Sequence, residues 1–462
     1  MTMTNDDQQA SYSAAEYEKL DRQVLLHPHQ SGARPERCVI VRGSGCTVWD
    51  CQGNELLDAM GGGNWVAQVG HARPELAQAA AKQLGELEYF TGFDIYSNDI
   101  TIRLAQRLVG LAPAGLDRVF FTSGGSEGVE TAMKVARLFH HHRKEPDRTW
   151  IIARQFAYHG TTYGSVAATG FAHMHEGIGL ALPHVEKVSM PHPYRAQELY
   201  GGQDPTDFLI QELSDSIERI GAGNIAAMIG EPVMGGAGIL IPPADYWPRV
   251  RELLSRHGIL LIADEVVTAF GRTGAWFDSE QRGMAADIVV TAKGLTSGYA
   301  PLGAVLMRDE IAETVAGAGV HFSHGHTYSG HPLPCAIALA NLDLLEQESL
   351  IPRSSTIGQW LSESLAPLAE LARVGEIRIA GATVGLELVT DRGTQEPLMG
   401  DGVATEMRRR HQVVVRDYGN NIVLAPPLVI SREQVSRTAN ALHDVIAGLG
   451  ADGTLNTMPT AR

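Results

Sequence analysis

The chain has 462 residues, too many for one simple core, so a large unit with a smaller companion is expected. Asp and Glu number 53 against 37 Lys and Arg, a formal net charge of −16. A phosphate backbone needs the opposite balance, which argues against nucleic acid as a partner. Four cysteines (Cys38, Cys46, Cys51, Cys335) make no disulfide framework in a chain this long and read as reduced thiols. The polar, acidic N-terminus lacks the basic start and apolar core of a signal peptide, and no apolar run reaches membrane-spanning length. A cytoplasmic location is therefore expected.

Residues 1–14 are expected to be loose, with a helix at about Glu16–Leu25. Cys38–Arg42 and Thr47–Asp50 read as short strands turned by Gly43-Ser44-Gly45, and Gln52-Gly53-Asn54 as a hairpin turn into Glu55–Asp58. In Gly61-Gly62-Gly63-Asn64-Trp65 the ring is either packed in the core or presented to a cavity. Arg118–Thr122 predicts a buried strand running into Ser123-Gly124-Gly125-Ser126. A helix follows, with Val129, Ala132, Met133, Ala136 and Phe139 on one face. A glycine–serine turn opening a helix points backbone N–H groups outward at the positive end of the dipole, an anion site; serine also caps helices for their own sake. His140-His141-His142 ends the helix and reads as cations favoured at a helix C-terminus. Thr149–Ala153 is the next strand and leads to Tyr158-His159-Gly160-Thr161. Residues 171–205, rich in Gly, His and Pro, read as a long surface excursion. A helix over Asp207–Ile220 precedes the strand Ile225–Ile229, beyond which Glu231 stands at the carboxyl end, and a helix over Tyr246–His257 follows.

Two apolar runs come next, Ile259–Ala263 and Asp287–Ala292, leading to Asp264 and Lys293. Runs this short and apolar suit strands buried on both faces of a parallel sheet, where chemistry collects beyond the carboxyl ends. Glycines at 271, 274, 294, 298 and 303 turn the backbone tightly around both charged residues. A carboxylate and an amine at one sheet edge form either a structural ion pair or the two halves of a pyridoxal phosphate site. In the second case the lysine serves Schiff-base chemistry and the carboxylate faces a pyridinium nitrogen. Strands alternating with helices throughout imply a doubly wound, mostly parallel sheet. Leu302–Met307 is a further strand, His324–Pro332 a polar loop, and Cys335–Leu345 a helix. The last third, with strands at Ile377–Ile379, Val384–Val389, Val413–Arg416 and Asn421–Leu424, fits a small α+β domain; Ala451–Arg462 reads as disordered.

Asp264-Glu265-Val266-Val267-Thr268-Ala269-Phe270-Gly271-Arg272-Thr273-Gly274 and Thr291-Ala292-Lys293-Gly294 resemble the signature of class III (omega-type) aminotransferases. The separation of 29 residues between positions 264 and 293 matches too, and the resemblance runs from about Leu20 to Gly450. It implies an α/β fold of PLP fold type I, like aspartate aminotransferase. Residues 1–65 would join the small domain, 66–332 form the large PLP-binding domain, and 333–462 form the C-terminal small domain.

The resemblance also implies roles. Lys293 would hold pyridoxal 5′-phosphate and carry the proton, Asp264 would keep the pyridine nitrogen protonated, and Val266 would pack on the ring. Gly125 and Ser126 become the phosphate cradle, although Gly124 stands where the family more often has serine, removing one hydroxyl. Tyr158 lies against the cofactor ring, with His159 beside it as a cofactor contact. Glu231 resembles the family's glutamate near the cofactor, accepting from Arg272 or orienting neighbours; a structural role stays equally open. Trp65 falls where an aromatic lines the substrate pocket, with Tyr89 and Phe90 expected on the same wall. Thr327 would reach the phosphate of the neighbouring subunit, which implies a homodimer or tetramer with active sites at the interface. Arg416 aligns with the arginine that binds carboxylates in amine:pyruvate-type transaminases. With Val267 where several amino-acid-using relatives carry glutamine, the pocket suits amines or omega-amino acids as donors and a keto acid, pyruvate, as acceptor. An aminomutase or racemase on the same scaffold, or an ornithine/GABA-type transaminase using 2-oxoglutarate, are the alternatives.

Overall fold

The structure, a computed structural model, describes residues 12–29, 37–179 and 182–455. The loose ends expected at 1–14 and 451–462 therefore fall largely outside the described residues. In chain order the strands are β1 (Ile40–Ser44), β2 (Thr47–Asp50), β3 (Glu55–Asp58), β4 (Arg118–Thr122), β5 (Trp150–Arg154), β6 (Val185–Val188), β7 (Ile225–Gly230) and β8 (Leu260–Asp264). They continue with β9 (Ile288–Thr291), β10 (Gly303–Met307), β11 (Val374–Ile379), β12 (Val384–Leu388), β13 (Val413–Val414), β14 (Arg416–Tyr418) and β15 (Asn421–Leu424).

A seven-stranded sheet in the order β4-β10-β9-β8-β7-β5-β6 forms the centre. The pairs β5–β6, β5–β7, β7–β8 and β8–β9 are parallel, while β10 is antiparallel to both β9 and β4. Only β10 therefore runs against the rest, and β4 points the same way as β5 to β9. Every residue of β7, β8, β9 and β10 is buried, as expected of unbroken Ile/Val/Leu/Ala runs covered on both faces. Successive residues divide between two cores. Ile151, Ala153, Ile262 and Val290 meet the helix Gly125–His142. Ile152, Leu261, Ala263 and Val289 meet the helices Pro205–Ile220 and Tyr246–Arg256. The first helix lies so close that a Cβ on Gly128 would stand 2.7 Å from Val290 Cγ1, so only glycine fits there.

β1, β2 and β3 form an antiparallel sheet completed by β13, parallel to β3, with Leu57 opposite Val413. β11, β12, β15 and β14 form a third, antiparallel sheet. The single strand expected over Val413–Arg416 thus splits, because β13 and β14 pair in different sheets. The excursion expected over 171–205 contains an ordered edge strand, β6. Its side chains are mostly half-buried, so no apolar run marks it in the sequence. His140 is also not the solvated cation expected at a helix end: it is buried, and Nε2 meets the Ala226 carbonyl at 3.0 Å while Nδ1 meets Glu145 at 3.1 Å. Burial lowers its pKa below the ordinary histidine value. Among the described residues, no helix is long and apolar enough to cross a membrane.

Candidate active site

With β4, β5, β7, β8 and β9 pointing one way, their carboxyl ends share one edge. The residues that follow them converge there on a cavity of about 1080 Å³. Ser123, Gly124, Gly125 and Ser126 come after β4, Tyr158 and His159 after β5, Glu231 after β7, Asp264 and Val266 from β8, and Lys293 after β9; all line it. Trp65 enters from the N-terminal segment, and Arg416 and Tyr418 from β14.

Asp264 is buried and held at both oxygens. Oδ1 accepts the Val266 amide at 3.1 Å, and Oδ2 lies 2.7 Å from His159 Nδ1. His159 therefore stands behind Asp264, a pairing that the sequence leaves unseen because 105 positions separate the two residues. Its other nitrogen, Nε2, is buried without a partner. Lys293 sits at φ +41°, on a single helical turn over Lys293–Leu295. Asn341, fully buried, braces that turn from behind, donating to the carbonyls of Gly294 at 2.9 Å and Leu295 at 3.1 Å. Burial lowers the Lys293 pKa from 10.5 to about 8, against the opposing pull of the Asp264 and Glu231 charges. Its Nζ stands 5.2 Å from the centre of the Trp65 ring. Trp65, buried yet on the cavity wall, stacks on Tyr418 with centroids 5.4 Å apart. Both readings of the tryptophan thus hold at once.

Glu231 does not accept from Arg272. Its Oε1 takes the Tyr158 amide at 3.2 Å and its Oε2 the Gly235 amide at 2.8 Å, and burial raises its pKa. Arg272 turns away and donates to the carbonyls of Ala382 and Pro426. No side chain caps the helix that begins at Gly125, so the amides of its first turn stand at the cavity wall as donors. Val266 packs against Gly125: a Cβ there would lie 3.0 Å from Val266 Cγ2. Ser126 Oγ accepts the Thr161 amide at 3.2 Å, leaving its own proton for an anion. Arg416 Nη1 donates to the Gly63 carbonyl at 3.2 Å and Asn64 Oδ1 at 3.1 Å, and its guanidinium lies 4.7 Å from the centre of the Tyr418 ring.

Thr327, Tyr89 and Phe90 are not cavity-lining residues of this chain. The Tyr89 hydroxyl instead donates to the Thr327 carbonyl at 2.9 Å, and Phe90 is exposed, packed edge-on against Tyr96. Tyr418 and Asn341 belong to no motif that marks them in the sequence. Tyr418 could have been read from its place two residues after Arg416, whereas the role of Asn341 depends on the packing of a distant helix.

The class-III aminotransferase family profile matches residues 29–446. The putrescine–pyruvate aminotransferase of Pseudomonas aeruginosa is 37% identical over 434 residues, covering 91% of this chain and 93% of that one. An (S)-enantioselective omega-transaminase from Thermomicrobium roseum superposes with a TM-score of 0.90 at 42% identity, covering 93% of this chain and 98% of that one. A PLP-bound amine transaminase from an uncultivated Pseudomonas species gives 0.86 at 41% identity, covering 91% and 97%. The chain belongs to the class-III aminotransferases. It is a pyridoxal-phosphate-dependent transaminase of PLP fold type I. The cavity fits that cofactor: an amine and a carboxylate face it, an uncapped helix start offers amides to a phosphate, and the buried His159 Nε2 awaits a partner.

The lowered Lys293 pKa sets a pH dependence. The neutral amine is the nucleophile, and with a pKa of about 8 roughly one in ten is neutral at pH 7, against about one in three thousand for an ordinary lysine. Capture of pyridoxal phosphate by cofactor-stripped protein is therefore expected to quicken as pH rises, with its midpoint near 8. Absorbance recorded across pH 6.5–10.5 checks this; a rate still climbing steeply through pH 10 rejects it.

Proposed function

We propose that this enzyme moves an amino group from a primary amine or omega-amino acid to pyruvate, in two half-reactions that share one site. The observation that carries this reading is the cavity itself. Apolar and aromatic walls (Trp65, Tyr158, Val267, Tyr418) stand beside the Arg416 guanidinium, which can face a small carboxylate. The names of the relatives support it. Bound pyridoxal phosphate supplies an electron sink for the charge left on the donor carbon. With it bound, Lys293 Nζ would take and return the transferred proton, and Asp264, backed by His159, would keep the ring nitrogen protonated. Ser126 and the Gly125 amide would hold the phosphate, Val266 and Tyr158 would fix the ring plane, and Glu231 anchors the Tyr158 backbone.

The division at residues 65 and 332 belongs to the same reading, and the pairing of β3 with β13 supports grouping the two termini. So does a homodimer in which Thr327 serves the neighbouring site. Phe90, Phe93, Ile95, Tyr96 and Tyr328 are all exposed around the Thr327 segment, an apolar patch that a second copy would cover. Purified enzyme is expected to aminate pyruvate from a simple amine or from β-alanine, with no product when the acceptor is omitted. Brisk ornithine–oxoglutarate exchange, with no turnover of any amine or β-alanine, would reject the assignment.

A further inference from the structure

Glu387 of β12 is only 1% exposed, in a strand buried along its whole length. A carboxylate so far from water needs donors to compensate its charge. Three converge on it: His192 Nε2 at 3.1 Å, Arg195 Nε at 2.7 Å and Arg378 Nη1 at 2.6 Å. Burial alone would raise its pKa, but the bonds from His192 and Arg378 hold it well below the usual carboxylate range. His192, Glu376 and Glu387 are spaced like metal ligands, within 4.8 Å of one another. The cation among them is already present, because Arg378 Nη1 also meets Glu376 Oε2 at 2.5 Å.

Arg378 directs its remaining donors to two segments whose neighbouring residues line the active-site cavity. Nε donates to the Gly238 carbonyl at 2.9 Å, and Nη2 to Asn421 Oδ1 at 2.5 Å. Gly238 belongs to the loop after β7, in which Gly236 lines the cavity and packs on Tyr158 and Phe171. Asn421 pairs with Tyr418 across the β14–β15 hairpin, the hairpin that carries Arg416. Asn421 Nδ2 donates to Asn420 Oδ1, and Asn420 Nδ2 to Glu387 Oε1, so the hairpin tip is tied to the same ion cluster. Loop and hairpin leave no slack: a Cβ on Gly238 would stand 2.3 Å from Asn421 Oδ1.

We propose that Arg378 is a positioning residue for the acceptor half-reaction: from outside the cavity it fixes the hairpin that presents Arg416, and so sets how the enzyme meets a carboxylate. This rests on the reading of Arg416 as the carboxylate-binding arginine. Arg378 is not part of the cavity wall. A guanidinium that grips a carboxylate through two parallel bonds is sensitive to small displacements, whereas an acceptor without a carboxylate makes no such demand. The signature is therefore selective loss.

The test loads the protein with pyridoxamine phosphate and follows single turnovers with pyruvate or with butanal, which lacks a carboxylate. Calorimetry measures binding of propionate, an unreactive carboxylate. In Arg378→Gln, half-saturation by pyruvate is expected to rise about ten-fold with the limiting rate held within about two-fold, propionate is expected to weaken in parallel, and butanal to be unchanged. Asn421→Ala, which leaves the ion cluster in place, should give the same pattern more weakly and carries the test if Arg378→Gln does not fold. In an Arg416→Ala background neither substitution should add anything. Equal losses with pyruvate and butanal, or an effect additive to Arg416→Ala, overturn the proposal. If Arg416→Ala weakens pyruvate but both other variants behave as wild type, the proposal alone fails. If Arg416→Ala leaves pyruvate untouched, the reading of Arg416 fails first and the proposal falls with it.

Discussion

Lys293→Ala is expected to leave a folded protein whose turnover is lower by roughly 10⁴-fold or more. The side chain ends in the cavity, so its removal costs little packing, and the turn that carries it is held by Asn341 through backbone carbonyls that alanine keeps. The amine itself is what disappears. Burial lowers its pKa to about 8, which makes it nucleophilic near neutrality and able both to take and to give a proton. Borohydride reduction followed by peptide mass spectrometry should find the cofactor adduct at residue 293 in the wild type and no adduct in the variant. Turnover within about ten-fold of wild type in Lys293→Ala would mean that another group carries the proton, and the assignment would be wrong.

Asp264→Asn is expected to lower turnover by about 10²- to 10³-fold while cofactor still binds. The amide has the shape of the carboxylate, so the bond from the Val266 amide can persist. What is lost is a buried negative charge on the cavity wall, one that Lys293 senses. The Asp264 charge raises the Lys293 pKa against burial, so its removal should push that pKa below about 8. The capture midpoint of the variant should therefore move to lower pH even as turnover falls. A midpoint that stays put or rises would show that the two side chains do not sense each other. Loss of charge also strips His159 Nδ1 of its ionic partner.

How far these expectations could be reached from sequence differs residue by residue. Ile259–Ala263 and Asp287–Ala292 announce buried parallel strands by composition alone, and the rule that chemistry gathers at strand carboxyl ends then places Asp264 and Lys293 at one edge. Ser123–Ser126, Tyr158 and Glu231 follow by the same logic, since each stands just beyond a strand. β6 escapes because an edge strand with half-buried side chains carries no apolar run. Tyr89 and Phe90 stand away from this chain's own cavity, Tyr89 bonded to the Thr327 carbonyl and Phe90 packed on Tyr96, contacts between segments that local sequence does not reveal. Glu231 does not meet Arg272 because that guanidinium is drawn to the carbonyls of Ala382 and Pro426, while the amides of Tyr158 and Gly235 donate to the carboxylate.

Composition and local pattern sufficed for the alternation of strands and helices, for the family resemblance, and for bringing Asp264 and Lys293 to one sheet edge. Local periodicity and strand-end position are properties that a short stretch of chain carries within itself. Packing alone revealed that His159 stands behind Asp264, that Trp65 stacks on Tyr418, that β13 and β14 part into different sheets, and that Arg378 ties the Gly238 loop to the Asn421 hairpin. Each of these is a contact between segments far apart in the chain. A buried arginine or glutamate looks, in sequence, the same as a solvated one until the fold brings its partner to it.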